Sequence, residues 1–396
     1  MFSHTLGNMP VPPRRSQSRR GRGGRRPWTR GGPARALAAA TAAAALAGLT
    51  ACGTAGEAGE DAGGTSGADG FTIGLLLPDV HTARWATADK PLIQAKVKAL
   101  CPDCRLLHAY ASADVATQQQ QIESMIAKGA KVLILDPVDD KALRSSIARA
   151  RDANVPVVSY DRLAQGPISA YSSYDSEEIG RIQAQELLKA MGPKARGGQI
   201  VMMNGDPTDP NTRDLRRGAL SVLQGKVKIA RSYYTGGWIP ENAFRNMSAA
   251  IAELGPDRID GVLSANDGLA GGVVTALKAA GVKPLPPVTG QDADLSAVRR
   301  IVKGEQYMTV YKSFEAEAEA AAEMAVALGR GEKLDDVARD RVRNDTDDDI
   351  PAVLGPLVPV TADNIEETVV ENGLYTVDQI CTPAVEAACR KAGLTG

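Results

Sequence analysis

From Phe71 onward, apolar runs and amphipathic runs alternate along the chain, and that alternation limits the fold more than any other feature. FTIGLLLP (71–78) is an apolar β run, Arg84 to Leu100 reads as a helix, and CRLLHAYA (104–111) as a strand. Val115 to Lys128 reads as a helix with apolar Ile122, Met125 and Ile126. KVLILDP (131–137) is continuously apolar, as a strand buried on both faces of a parallel sheet would be. A helix at 141–153 and the strand PVVSYDR (156–162) follow. A second series begins after SAYSSYD (169–175), with strands expected at 199–207, 227–235, 259–267 and 287–294, each followed by a helical stretch. Such spacing means βαβ units and parallel sheets. Two series of similar size predict an α/β architecture of two doubly wound parallel-sheet lobes.

MTVYK (308–312) reads as one more strand and 314–329 as an Ala/Glu-rich helix, with a break at NDTDDDIPAV (344–353). These are read as further crossings between lobes, so that the hinge is crossed several times. The expected boundaries are 71–173 with 311–347 for the first lobe and 174–310 with 348–375 for the second, leaving 376–396 as a tail. About 325 residues from Phe71 onward exceed one typical core, in agreement with two.

The segment before Phe71 reads differently. Pro10 to Arg35 is Arg, Pro, Gly and Ser with nine arginines and no acid, followed by the apolar run Ala36 to Leu49 and then Thr50-Ala51-Cys52. A basic region, a short apolar region and small residues make an export signal, too short and weakly apolar for a stable span. Cysteine after Leu-Thr-Ala resembles the bacterial lipobox, which implies lipidation of Cys52 and anchoring to the outer face of the cytoplasmic membrane. The plainer alternative is a cleavable signal with an incidental cysteine. Residues 53–70 are rich in Gly, Ala and acid and read as a flexible tether. Setting the nine signal arginines aside from 46 basic residues leaves 37 against 47 acidic ones, a charge near −10. That excess argues against nucleic acid or an anionic membrane surface as partner.

Cys101 with Cys104 (CPDC) and Cys381 with Cys389 remain, an even number in a chain read as exported, and two local disulfides are the simplest reading. Four cysteines allow three pairings. A redox CxxC is disfavoured because CPDC ends a predicted helix and so lacks the helix N-terminus that lowers a thiol pKa. A zinc site is disfavoured because the second pair has eight-residue spacing. No metal or other cofactor is expected.

Ligands of open parallel α/β sheets bind outside the carboxyl ends of strands, so residues just past each strand are the candidates. These are Arg84-Trp85, Asp161-Arg162, Asp206, Asp209, Asn211, Trp238, Asn266-Asp267, Gln291-Asp292, Asp294 and Lys312. Flat indole plates suit the C–H faces of a sugar, and planar Asp, Asn and Arg groups suit its hydroxyls. Trp85 and Trp238 fall in strand-end loops of different lobes. Each residue also has a plainer role. Trp85 can cap the core, Asp267 and Asp294 can be helix N-caps, Asp161-Arg162 can be a local ion pair, and Asp206 and Asp209 can shape a Pro-rich turn.

Several of these stretches resemble the xylose-binding proteins of bacterial ABC importers, within the ribose/galactose-binding superfamily. They are Arg84-Trp85, QQQQIESMIAKGAKVLILDP (118–137), VVSYDR (157–162), GGWIPENA (236–243), SANDGLAGG (264–272), GQDADLSAVRRI (290–301) and MTVYK (308–312). The resemblance implies the type I periplasmic binding protein fold and a hinged clamp that closes on a monosaccharide, D-xylose first, for delivery to ABC permease subunits. It implies that Trp85 and Trp238 sandwich the sugar ring. Polar contacts would come from Arg84, Asp161, Arg162, Asp209, Asn211, Asn266, Asp292 and Lys312, with Pro210 interrupting the pattern between Asp209 and Asn211. A monomer is the default expectation. His81-Thr82-Ala83 departs from the pattern by carrying less charge than expected, and the tail lies beyond the family core.

Other classes fare worse. No GxxxxGK[ST], strand-borne GxGxxG, HExxH or GxSxG occurs, and the histidines are only His4, His81 and His108, so an enzyme is not expected. NDTDDD (344–349) lacks EF-hand spacing and its Gly, and reads as a solvated hinge crossing. A LacI-type regulator shares the two-lobe fold, but a signal and tether stand where its DNA-binding helices would be. A sugar sensor presenting its closed form to a membrane histidine kinase shares the binding step and differs only in partner.

Overall fold

The computed structural model describes residues 70–80 and 82–394. The expected signal, Cys52 and most of the tether lie outside them, as does His81. The first series folds as β1 (Thr72–Leu77), α1 (Lys90–Leu100), β2 (Arg105–Tyr110), α2 (Val115–Ala127), β3 (Ala130–Leu135), α3 (Arg144–Asp152), β4 (Val157–Tyr160) and β5 (Ala170–Ser173). The second gives α4 (Ser176–Met191), β6 (Gln199–Asn204), α5 (Pro210–Leu223), β7 (Lys228–Tyr234), α6 (Pro240–Leu254), β8 (Gly261–Ser264), α7 (Asp267–Ala279) and α8 (Leu295–Val302). Then come β9 (Met308–Lys312), α9 (Phe314–Arg330), β10 (Asp340–Val342), β11 (Ile350–Leu354), β12 (Leu357–Thr361), α10 (Val377–Ile380) and α11 (Glu386–Lys391).

Among the described residues the strands form a sheet of seven in the order β10-β11-β5-β4-β3-β1-β2, a sheet of three in the order β7-β6-β8, and the pair β12-β9. Strands β1 to β5 pair in parallel with one another, as do β6 to β8. β1, β3 and β4 are almost wholly buried, which explains their unbroken apolar character. Helix N-termini follow the sequence closely, with Asp114, Asp175 and Ser313 each accepting a backbone N–H as N-cap.

Four expectations are corrected. The stretch 287–294 forms no ladder strand. Pro286 and Pro287 lack N–H donors, and Asp292 and Ala293 turn to positive φ, so only an isolated bridge, Val262 to Val288, survives. Tyr307 and Val310 still donate to Val288 and Gly290, which places this segment between β8 and β9. β11 pairs in parallel with β5 and so belongs to the first sheet, not to a second lobe that resumes at 348. Tyr311 and Lys312, conversely, pair with β12 on the side of the second series. NDTDDD is therefore no crossing. It is the loop of the β10–β11 hairpin, docked by the Asn344 amide on the Ala164 and Gly166 carbonyls.

Among the described residues the chain passes between the two halves near Tyr174, at Ser313 and at Gly355. All three meet on one side chain. The Tyr174 hydroxyl donates to the Ser313 carbonyl at 2.7 Å, and a Cβ on Gly355 would lie 2.5 Å from its ring. Both local disulfides are present, Cys101–Cys104 just past α1 and Cys381–Cys389 in the tail. The tail is not an appendage. Ile380, Val385 and Cys389 pack with Val298, Ile301 and Val360 in one apolar cluster over α8. No helix among the described residues is long and apolar enough to cross a membrane.

Candidate functional site

All ten residues singled out for ligand contact line one cavity. Arg84, Trp85, Asp161 and Arg162 come from loops after β1 and β4. Asp209, Asn211, Trp238, Asn266, Asp292 and Lys312 come from the second series and β9. Their convergence follows from parallel pairing, which sends every strand's carboxyl end the same way.

Trp85 opens a π-helical turn, Trp85–Asp89, that runs into α1, and is 3% exposed. Trp238 is 8% exposed and sits at φ 54° after Gly237, a backbone shape that the Asp206 carboxylate holds by accepting the Gly237 N–H. A Cβ at Gly205 would lie 2.1 Å from the Trp238 ring, so only glycine leaves room for the indole there. Asp206 therefore shapes the turn, as its plainer reading had it, and does not line the cavity. Pro210 takes the first helical position of α5 with Asp209 as N-cap, so it does not disrupt the motif. The Asp209 carboxylate accepts the Asn211 backbone N–H at 2.8 Å and the Trp238 Nε1–H at 3.0 Å.

The charges are interlocked. Asp161, at φ 55°, accepts from Arg84 Nη1 at 2.9 Å and from the Asn211 amide at 3.0 Å, and lies 3.7 Å from Lys312 Nζ. Lys312 lies 3.1 Å from Asp292, whose carboxylate also meets the Asn266 amide at 3.4 Å. Arg162 Nε stands 2.7 Å from Asp209. The plainer alternative of a local Asp161–Arg162 pair is not what forms: the two side chains join different networks. Burial pushes against the Asp161 charge, but Lys312, Arg84 and Arg162 outweigh it and hold its carboxyl below the usual range. Burial likewise opposes the Lys312 charge, and Asp292 and Asp161 keep its pKa above the ordinary value. Asp209 is pushed up to about 6 by burial, against the pull of Arg162. Each cation here already has a carboxylate. The pocket therefore presents fixed donors and acceptors and suits a neutral polyhydroxylated ligand better than an acid.

Asn266 serves double duty, capping α7 through the Leu269 N–H. Asp267 is fully buried behind the pocket, accepting from Gln306, Thr309 and the Asp294 N–H, so it is structural. Thr82, Ser173, Tyr174, Ser176, Ile179 and Gln291 also line the cavity. Ser173 and Tyr174 end β5, a strand hidden in SAYSSYD because it lacks an apolar run. Gln291 was among the strand-end candidates but not among the ten expected contacts, and it too lines the cavity. Asp89, Asp136 and Glu317 lie fully buried around the arginines, and nothing in local sequence sets Glu317 apart from other acids of its helix. Among the described residues no cluster of His, Cys, Asp and Glu is arranged to hold a metal ion.

Comparison with known proteins gives concordant results. The profile described as periplasmic binding protein domain matches residues 73–333. The D-xylose-binding periplasmic protein of Escherichia coli K12 is 33% identical over 314 residues, covering 78% of this chain and 92% of that protein. A multiple sugar-binding periplasmic receptor of Rhizobium radiobacter is 30% identical, with 79% and 93% covered. Among solved structures, an ABC transporter solute binding protein from Clostridium phytofermentans with bound β-D-glucose superposes with a TM-score of 0.72 at 29% identity. That match covers 78% of this chain and 99% of the other.

Proposed function

Because the chain belongs to the periplasmic binding protein family, we propose that it is the extracytoplasmic monosaccharide-binding subunit of an ABC importer. The fold is the type I periplasmic binding protein fold, and the chain is a binding protein and not an enzyme. The observation that carries the proposal is the pair of indoles, Trp85 and Trp238, brought from different halves to one cavity with amide, carboxylate and guanidinium groups between them. A pyranose presents apolar C–H faces and a polar hydroxyl rim, and this cavity offers the complement of both.

D-xylose is the first choice of sugar, supported by the resemblance of the Escherichia coli relative. Glucose is its nearest competitor and is the ligand named for the Clostridium structure. The two differ by one hydroxymethyl group, so the test is a direct comparison. Calorimetric titration of the purified chain with xylose, glucose, ribose, arabinose and galactose should show saturable binding, strongest for xylose. Scattering should show a smaller radius of gyration at saturation, because contacts from both halves are completed only on closure. Strongest binding to another sugar would correct the substrate. No binding across the panel would remove the proposal. Export and lipid anchoring through Cys52 belong to the same proposal, and incorporation of labelled lipid, lost in Cys52→Ser, tests them.

A further inference from the structure

Arg84 is held from almost every direction. Its Nε donates to Asp89 Oδ2 at 3.0 Å, and its Nη2 to both Asp89 Oδ1 and Glu317 Oε2 at 2.5 Å. Its Nη1 donates to Asp161 Oδ2 at 2.9 Å. The guanidinium plane lies between the rings of Trp85 and Phe314, whose centroids are 4.5 and 4.3 Å away. A guanidinium has five N–H groups, so one hydrogen on Nη1 has no partner among the described residues. The side that carries it borders the cavity, since Arg84 and Asp161 both line it and Asp89 and Glu317 do not.

Phe314 and Glu317 stand three residues apart in the first turn of α9, directly after the crossing at Ser313. One turn of that helix thus supplies both a flat wall and a carboxylate for Arg84. The stretch His81-Thr82-Ala83 brings little charge to this corner, and α9 brings it from a distant part of the chain. Ser172 fixes the turn by donating its hydroxyl to the Glu317 carbonyl at 2.9 Å.

We propose that Glu317 is a positioning residue for ligand capture: it orients the Arg84 guanidinium so that a single Nη1–H is presented to a sugar hydroxyl. The inference rests on the sugar-site reading above. Removing Glu317 frees one Nη2–H and leaves the guanidinium held by the Asp89 fork, Asp161 and the two rings alone, so its Nη1–H is presented less rigidly. The groups facing Glu317 are Arg84, Asp89 from the turn before α1, Tyr160 from β4 and Asp161 just past it, Lys312 from β9, and Tyr171 and Tyr174 from β5 and just past it. Burial pushes the Glu317 carboxyl up to about 8, against the pull of Arg84. Its ionisation at higher pH strengthens the bond to Arg84 and with it the hold on the guanidinium.

The experiment measures glucose and xylose Kd for wild type, Glu317→Ala and Glu317→Gln from about pH 7 to about pH 9. That window lies at or above the range where Asp209, near 6, and Asp294, near 7, take up protons. Glu317→Ala should raise Kd about tenfold, the loss of a charge-assisted hydrogen bond. Glu317→Gln retains an acceptor oxygen and should recover most of that loss. Wild-type affinity should rise toward pH 9, and the rise should be absent in Glu317→Gln. Wild-type affinity in Glu317→Ala, or an unchanged pH profile in Glu317→Gln, overturns the proposal. If the alanine variant does not fold, the pH profile of the glutamine variant decides. If the wild type binds neither sugar, the sugar-site reading falls. The positioning role is then decided by NMR of the Arg84 Nη–H signals, identified by their loss in Arg84→Lys. Slow exchange in wild type and fast exchange in Glu317→Gln or Glu317→Ala supports it, and equal exchange overturns it.

Discussion

Asp161, Trp238 and Asp292 have φ angles of 55°, 54° and 98°, a region that costs a non-glycine residue of order 1–3 kcal/mol. All three line the cavity. The surrounding bonds hold them there: the Asp161 N–H donates to the Ser172 carbonyl, the Asp292 N–H to Val310, and the Trp238 N–H to Thr235. Trp238→Ala removes an indole that packs both on the cavity and on the second-series core. It should weaken sugar binding by about 2 kcal/mol or more, about thirtyfold in Kd, measured by calorimetry. Trp238→Phe keeps a plate but loses the bond to Asp209, and should fall between. Equal Kd values for wild type and Trp238→Ala would remove the indole from the site. The position of Trp238 past a strand was legible in sequence, because it follows Gly-Gly at the end of an expected β run. Its partner was not, since the Asp209 carboxylate reaches Nε1 only once α5 and the turn after β7 are packed together.

Helices α4 and α5 meet where each carries a glycine. A Cβ on Gly218 would lie 1.9 Å from the Glu177 carbonyl oxygen, and one on Gly180 would lie 2.0 Å from that of Leu215. Backbone meets backbone, so no flexible side chain can yield. Gly218→Ala should destabilise the protein by about 1–3 kcal/mol through forced separation of the helices, read from the urea midpoint at unchanged m-value. A midpoint equal to wild type would mean that the helices part without cost. Neither glycine was marked by its local sequence, because helical periodicity names a face and not the neighbour that presses on it. Alternation gave the strands and helices of both series nearly in full. It failed at 287–294, where the diproline and the two left-handed residues break pairing, and at 350–354, where an acidic hairpin loop hid a strand of the first sheet.

Across the whole molecule, carboxyls are buried faster than cations can match them. Burial pushes up Asp136 and Asp267, and raises Asp209 to about 6, Asp294 to about 7 and Glu317 to about 8. The folded chain therefore holds protons that the unfolded chain releases above its own carboxylate range, near pH 4. Unfolding releases protons between about pH 4 and about pH 8, so stability falls as pH rises through that window. Asp161, whose pKa is lowered, contributes stability that is lost only in acid below that range. The unliganded protein should melt several degrees lower at pH 8 than at pH 5.5 by scanning calorimetry. A melting point that rises over this interval would mean that these carboxyls are ionised when folded. By itself the sequence determined the α/β class, the two series and the strand-end positions of the ten cavity residues. Periodicity and chain direction are local properties, and parallel strands share one functional rim. Only tertiary structure decided which strand joined which sheet, how Asp161 and Arg162 divided between networks, and that α9 would bring Glu317 to Arg84. Those outcomes depend on groups far apart in the chain competing for the same buried partners, and no local pattern records that competition.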